Sequence, residues 1–352
     1  MQLVQKSKRP SWVDTPIRRD QSEFNAFFEV SDKYQAPFAR AYKQLAKNLY
    51  TPQIERELLK KLRASALPGI TDLMSVFNFY TGDEQDPNQA MWLTFQTAFE
   101  NLYATVITQM GNIEFGRQKW PLEFIVKTSL IPIPANPYSL DWIREQAFEL
   151  VRNLSLSQQE VLQQIFVEAY QQGLRPEAIV DQVKNVISLN PKQAQQVINL
   201  QFRQLELGVP QKQIDRNAET LADKLLTERA QLIARTEMIA AQNQGIQDSW
   251  KVARDNKLLS TSAKKEWVEI SSSPRTCKIC LGLGGQQVGL DETFNSDIIG
   301  AVDRPPAHPR CRCTMVLVED DDLGLVLDDD LQQQVERLRN TPREELSVPL
   351  EF

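Results

Sequence analysis

The chain reads as a mainly α protein that ends in a small α+β module followed by an acidic tail. Three observations predict this. Proline outnumbers glycine 19 to 13, an excess that marks many helix starts and few β-turns. Apolar residues recur at three- and four-residue steps as far as about Asn256, the period of a helix with one buried face. Past Asn256 the period shortens to two, as in strands.

The elements follow in order. From Ser22 to Leu49, Phe24, Phe27, Phe28, Phe38, Tyr42, Leu45 and Leu49 predict amphipathic helix, broken near Pro37. "TPQIERELLKKLRAS" offers Thr51 as N-cap and Pro52 at the first helical position, with charges spaced for pairing along one face. "DPNQAMWLTFQTAFENLYATVITQMG" repeats that device with Asp86 and Pro87 and predicts a well-buried helix that stops near Gly111. "FIVKTSLIPIPANPYS" reads as an extended connector, with a boundary near Asn136.

Next, "SLDWIREQAFELVRNL" and "SQQEVLQQIFVEAYQQG" read as a helical hairpin, the second helix opened by a Ser157–Glu160 capping box and ended by Gly173. Two further helices start at Pro176 and Pro191, and the later one ends at Gly208. From Ala218 to about Asn256, Leu225, Leu232, Ile239 and Ile246 step by seven, which predicts one long helix. Thr236, Asn243 and Gln247 interrupt the second seam, so packing within the protein is preferred to a coiled-coil oligomer. "EWVEI", "QQVGL" and "CTMVLVE" then read as short strands. Asp291 to Pro309 forms a loop of about twenty residues, long enough to be functional, ligated or partly disordered.

The resulting organisation is a helical N-terminal region (1–135), a helical bundle segment (136–217), an α+β module (218–318) and an acidic tail (319–352). Hydrophobic content of 41% and charged content of 24% suit globular domains. The N-terminus has positive charges but no apolar run behind them, and no long apolar stretch follows, so neither a secretory signal nor a membrane span is expected. The four cysteines are then expected in a reducing compartment, where metal binding or burial outweighs a disulfide framework. The tail holds eleven acidic residues against three arginines, a net of −8. Since the whole chain carries −6, residues 1–318 come to +2. A nearly neutral body gives no strong electrostatic case for nucleic acid.

All four cysteines and the only histidine fall in one short stretch: Cys277-x2-Cys280, then His308-x2-Cys311-x-Cys313. A C-x2-C turn can chelate one Zn²⁺, and a second pair of donors can close a tetrahedron. Five donors compete for four places, and Cys277, Cys280, His308 and Cys311 are the preferred set. Pro305, Pro306 and Pro309 stiffen the approach to His308. The alternative is a cluster of reduced buried thiols, or a redox-sensitive C-x2-C, because the 27 residues between the half-sites exceed the spacing of simple zinc fingers. "LGLGG" at 281–285 lacks the strand and helix of a dinucleotide fingerprint and reads as a tight turn.

Three stretches, "IARTEMIAAQNQGIQDSWK", "KKEWVEISSSPRTCKICLGLGG" and "RPPAHPRCRCTMVLV", together resemble the phage Mu F-like minor head protein family of tailed bacteriophages. The resemblance covers roughly Leu221 to Val318, and Pro137 to Gly208 looks like the segment that usually precedes it. It implies a virion component, located in the phage head near the portal vertex and in the host cytoplasm during assembly. The implied partners are the portal protein, scaffolding or major capsid protein, and DNA bound weakly, with a role in DNA packaging or ejection. The family also implies a fold similar to ADP-ribosyltransferases. That raises an alternative, an NAD-using enzyme with Arg235 on the NAD phosphates and Glu237 assisting cleavage. Fold analogy is a weak warrant for chemistry, and two residues two apart on a helix diverge by about 200°. A non-enzymatic role is therefore expected, with Arg235 and Glu237 pinning the long helix and Arg235 tying it to the zinc unit.

Overall fold

A computed structural model describes residues 21–64, 68–82, 89–118, 137–269 and 277–318. The readings of Asp86, Pro87, the connector before Asn136 and the acidic tail lie outside the described residues. Eight helices come first among those described: α1 (Gln21–Asn48), α2 (Pro52–Ala64), α3 (Ile70–Met74), α4 (Ala90–Arg117), α5 (Pro137–Gln171), α6 (Pro176–Val186), α7 (Pro191–Glu206) and α8 (Gln211–Asp255). The module follows as β1 (Lys264–Val268), α9 (Lys278–Leu283), β2 (Gln287–Gly289), β3 (Phe294–Ser296), β4 (Gly300–Val302) and β5 (Thr314–Val318).

Local chemistry explains most of the ends. Thr51 Oγ1 accepts from Ile54 N at 3.3 Å ahead of α2, and Asn190 forms a reciprocal capping box with Gln193 ahead of α7. Gly173 and Gly208, with φ of +62° and +73°, let the chain turn out of α5 and α7. There Leu174 N and Val209 N reach back to the carbonyls of Ala169 and Gln204.

Four expectations are corrected. α1 runs unbroken through Pro37. Phe38, Tyr42 and Leu45, all buried, continue one apolar face across the proline, and Phe38 stacks on Phe99 with ring centroids 4.7 Å apart. That packing outweighs the lost backbone bond. The predicted hairpin is one 35-residue helix, α5: Ser157 caps nothing and instead accepts from Arg229 Nη2 at 3.1 Å, while Leu154, Val161 and Leu162 keep the buried stripe continuous. α4 continues past Gly111 to Arg117. The segment 291–309 contains the β3–β4 hairpin, paired from Phe294↔Val302 to Ser296↔Gly300.

α8 is a single 45-residue helix packed on α1, α4 and α7 of its own chain, so the heptad ladder is filled from within. The 217/218 boundary falls inside it. Two apolar cores form among the described residues, and neither follows the sequence segments. One joins α1, α4, the first half of α5, the second half of α8 and the module, through Phe38, Trp92, Tyr103, Trp250 and Trp267. The other joins α2, α3, the rest of α5, α6, α7 and the first half of α8, through Leu58, Phe166, Val183 and Ala218. Every α8 residue from Ala241 to Trp250 is buried. At Gly245 the helix crosses α4 so closely that no Cβ would fit. No helix among the described residues is long and apolar enough to cross a membrane.

The module's sheet is antiparallel in the order β2-β1-β5, with Lys265 opposite both Val288 and Leu317. Trp267 meets Phe294 edge-on at 5.2 Å. Buried polar side chains join the module to α8: Thr314 Oγ1 donates to Asn243 Oδ1 at 3.1 Å, Asn243 Nδ2 lies 3.5 Å from Cys313 O, and Gln247 Nε2 donates to Leu290 O at 2.8 Å, while Lys251 and Arg254 pair with Asp291 nearer the surface.

Candidate metal centre

The two half-sites are built by different local devices. Cys277 is the N-cap of α9, its Sγ accepting from Cys280 N at 3.4 Å, so the C-x2-C turn brings both sulfurs to one side. "LGL" therefore belongs to a short helix, and only Gly284 and Gly285 form the turn, with Gly285 at φ +77°. The second half-site is a tight turn in which Cys311 N donates to His308 O at 3.0 Å. Arg310 takes a left-handed conformation inside it, φ +69°. Cys313 stands directly before β5, and the strand's pairing with β1 holds it against Trp267's neighbourhood.

Folding brings all five donors together. His308 Nε2 lies 3.0 Å from Cys277 Sγ and 3.1 Å from Cys280 Sγ, and Cys280 Sγ lies 3.8 Å from Cys311 Sγ. Donor atoms of Cys277, Cys280 and His308 lie mutually within 4.8 Å, as do those of Cys280, Cys311 and Cys313. Cys280 is common to both groups. The thiols are free; Cys280, Cys311 and Cys313 are buried and Cys277 half-buried.

The donor set fits a borderline-soft ion. Sulfurs about 2.3 Å from a tetrahedral Zn²⁺ sit about 3.8 Å apart, the separation seen between Cys280 and Cys311. His308 Nδ1 lies 2.8 Å from Pro309 O. A carbonyl only accepts, so Nδ1 carries the proton and Nε2 presents its lone pair to the thiols, the outer-shell arrangement usual for a metal-binding imidazole. The three buried thiols share protons unequally. Hydrogen bonds with Cys280 and Cys313 pull Cys311 well below the usual thiol range, and hydrogen bonds with Cys311 and Cys313, then burial, push Cys280 up. Cys311 is the first of the three to ionise.

Arg235 and Glu237 face different places. Glu237 Oε2 accepts from Tyr103 Oη at 2.7 Å and Gln146 Nε2 at 2.9 Å, which ties α8 to α4 and α5. Burial raises its carboxyl, against those two bonds. Arg235 lines a separate cleft between α1, α8 and the His308–Cys311 turn, and its Nε is buried without a partner among the described residues. Among the described residues Arg235 forms no hydrogen bond to the module. Asn243 and Gln247 do, and both were read in the sequence only as breaks in an apolar seam.

These features define a class: a mostly helical protein whose C-terminal sheet is gathered around a Cys/His cluster able to hold a metal ion. Residues 160–316, from within α5 to β5, match the family described as Phage Mu protein F like protein, and that stretch is similar to the phage Mu F-like family. The match points to a phage head-related protein. No curated protein and no solved structure matches the chain.

Proposed function

We propose that this protein is a minor head protein of a tailed bacteriophage that associates with the portal protein during head assembly. The observation that carries the reading is the family match over residues 160–316. In this reading the N-terminal helical region docks on the portal, with scaffolding or major capsid protein as further neighbours, and the protein aids DNA packaging or ejection without catalysing a reaction. Its place is the virion, near the portal vertex. Immunodetection in purified particles, with portal protein recovered by co-purification from assembling heads, tests this. Normal incorporation of a chain lacking residues 1–135 would overturn the docking assignment.

The Cys/His cluster is, in the same reading, a structural zinc centre held by Cys277, Cys280, His308 and Cys311. Bound zinc would supply a cross-link and no reaction chemistry, fastening α9 to the turn before β5. The donor distances and the His308 tautomer support it. Metal analysis of the purified protein should find one zinc per chain. Freely titratable thiols with no stoichiometric metal would reject it.

A further inference from the structure

The cleft beside Arg235 has a volume of about 600 Å³, within the range of small-ligand sites. Three separate elements bring basic side chains to it: Arg40 and Lys43 from α1, Arg235 from α8, and Arg310 from the turn between His308 and Cys311. Along "HPRCRC" the cysteines are buried and the arginines exposed, and Arg312 is near enough to act on Arg235. Both guanidiniums act on Arg235, which burial first and then Arg312 and Arg310 hold below its ordinary value, with Asp32 opposing them.

The cluster lacks enough anions of its own. Asp32 and Glu228 are the acidic groups lining the cleft, yet among the described residues neither forms an ion pair with Arg40, Arg235, Arg310 or Arg312. Lys43 donates to the neutral Thr227 Oγ1 at 2.8 Å. Among the described residues buried Arg235 Nε has no partner, and an unmet charged donor in a partly desolvated site is costly. Gathering like charges is unfavourable unless something of opposite sign sits among them. A carboxylate offers two oxygens and one charge. A phosphate offers more of each, and guanidiniums match it in bidentate pairs.

We propose that this cleft is an anion site that binds a phosphate group, carried either by a free phosphate ester or by a nucleic-acid backbone. Arg235 from α8, Arg310 from the turn and Arg40 from α1 hold it. Glu237 lines a different cleft. The inference is independent of the head-protein reading and of which ion the thiols hold.

Isothermal titration of the full-length protein, with inorganic pyrophosphate in one arm and a short DNA duplex in the other, tests it. At least one probe should bind, and Arg235→Gln and Arg40→Gln should each weaken it about tenfold or more. Pyrophosphate alone assigns a free ester. DNA alone, with affinity falling steeply as salt rises, assigns the backbone. Arg40 is exposed on α1, so its variant keeps the fold even if Arg235→Gln lowers the melting temperature. Absence of binding by both probes at millimolar concentration, or unchanged affinity in the Arg40 variant, would overturn the proposal.

Discussion

Replacing Gly245 with alanine puts one methyl group where two long helices cross. The new Cβ would lie 2.6 Å from Ile107 O, 3.0 Å from its Cα and 3.2 Å from its carbonyl carbon, all backbone of α4. No rotamer change relieves contacts with backbone, so α4 and α8 must move apart. Their separation disturbs the tightly packed neighbours Tyr103, Val106 and Met110, and loads the bond from Trp250 Nε1 to Glu114 Oε1, 2.8 Å. Overpacking of this kind costs about 1–3 kcal/mol, and the higher helix propensity of alanine returns about 1 kcal/mol. Contacts under 3.0 Å at backbone place the overpacking at or beyond the upper end, so a net loss of about 2 kcal/mol is expected. At about 2–4 °C per kcal/mol the melting temperature should fall by about 4–8 °C, measured by circular dichroism. Gly111→Ala is the control: its Cβ meets Gly245 O at an ordinary 3.7 Å, so propensity should leave it equal to the parent or slightly more stable. A Gly245→Ala protein that melts at or above the parent, or a Gly111→Ala protein that falls equally, refutes the reasoning.

Three further outcomes follow from buried charges and thiols. Glu237 is raised by burial, so the folded state holds its proton longer than the unfolded one. That stability is fully present below the ordinary carboxyl range and is lost as pH climbs through the raised value. Urea midpoints across that window should therefore fall with pH more gently in Glu237→Gln than in the parent. Lys265 has a fully buried side chain whose Nζ reaches Asp303 Oδ1 and O, both at 2.9 Å. Asp303→Asn should cost about 2 kcal/mol by denaturant unfolding, less than a wholly buried pair because Asp303 is 39% exposed; Lys265→Met in that background should recover part of it. Cys280→Ser should abolish stoichiometric zinc in elemental analysis whereas Cys313→Ser should keep it, and a chelator should lower the melting temperature of the parent only where zinc is bound.

Helix starts were legible because their chemistry is local: a proline at the first position, a capping side chain or a terminal glycine acts within one turn. The α5 hairpin was misread for the same reason, since Ser157 and Glu160 have the spacing of a capping box, and the partner that claims Ser157, Arg229, lies 72 residues away. The convergence of Cys277, Cys280, His308 and Cys311 was legible because scarce donors crowded a short stretch. What secures that stretch to the rest was not. Asn243 and Gln247 look polar and out of place until α8 is seen buried on every side, where a polar side chain needs a partner and finds one in the module. The basic cleft was equally hidden, because Arg40, Arg235 and Arg310 come from elements far apart and vanish into a body of nearly zero net charge.

α8, 45 residues long, extends about 70 Å at 1.5 Å per residue, and it contributes to both apolar cores. A rod shared in this way leaves no soft joint midway at which one half could swing or melt while the other stays put. Heat should collapse both halves in a single step. A tug or twist applied by a neighbour at the bundle end is delivered along the same axle to the strands and sulfurs at the other.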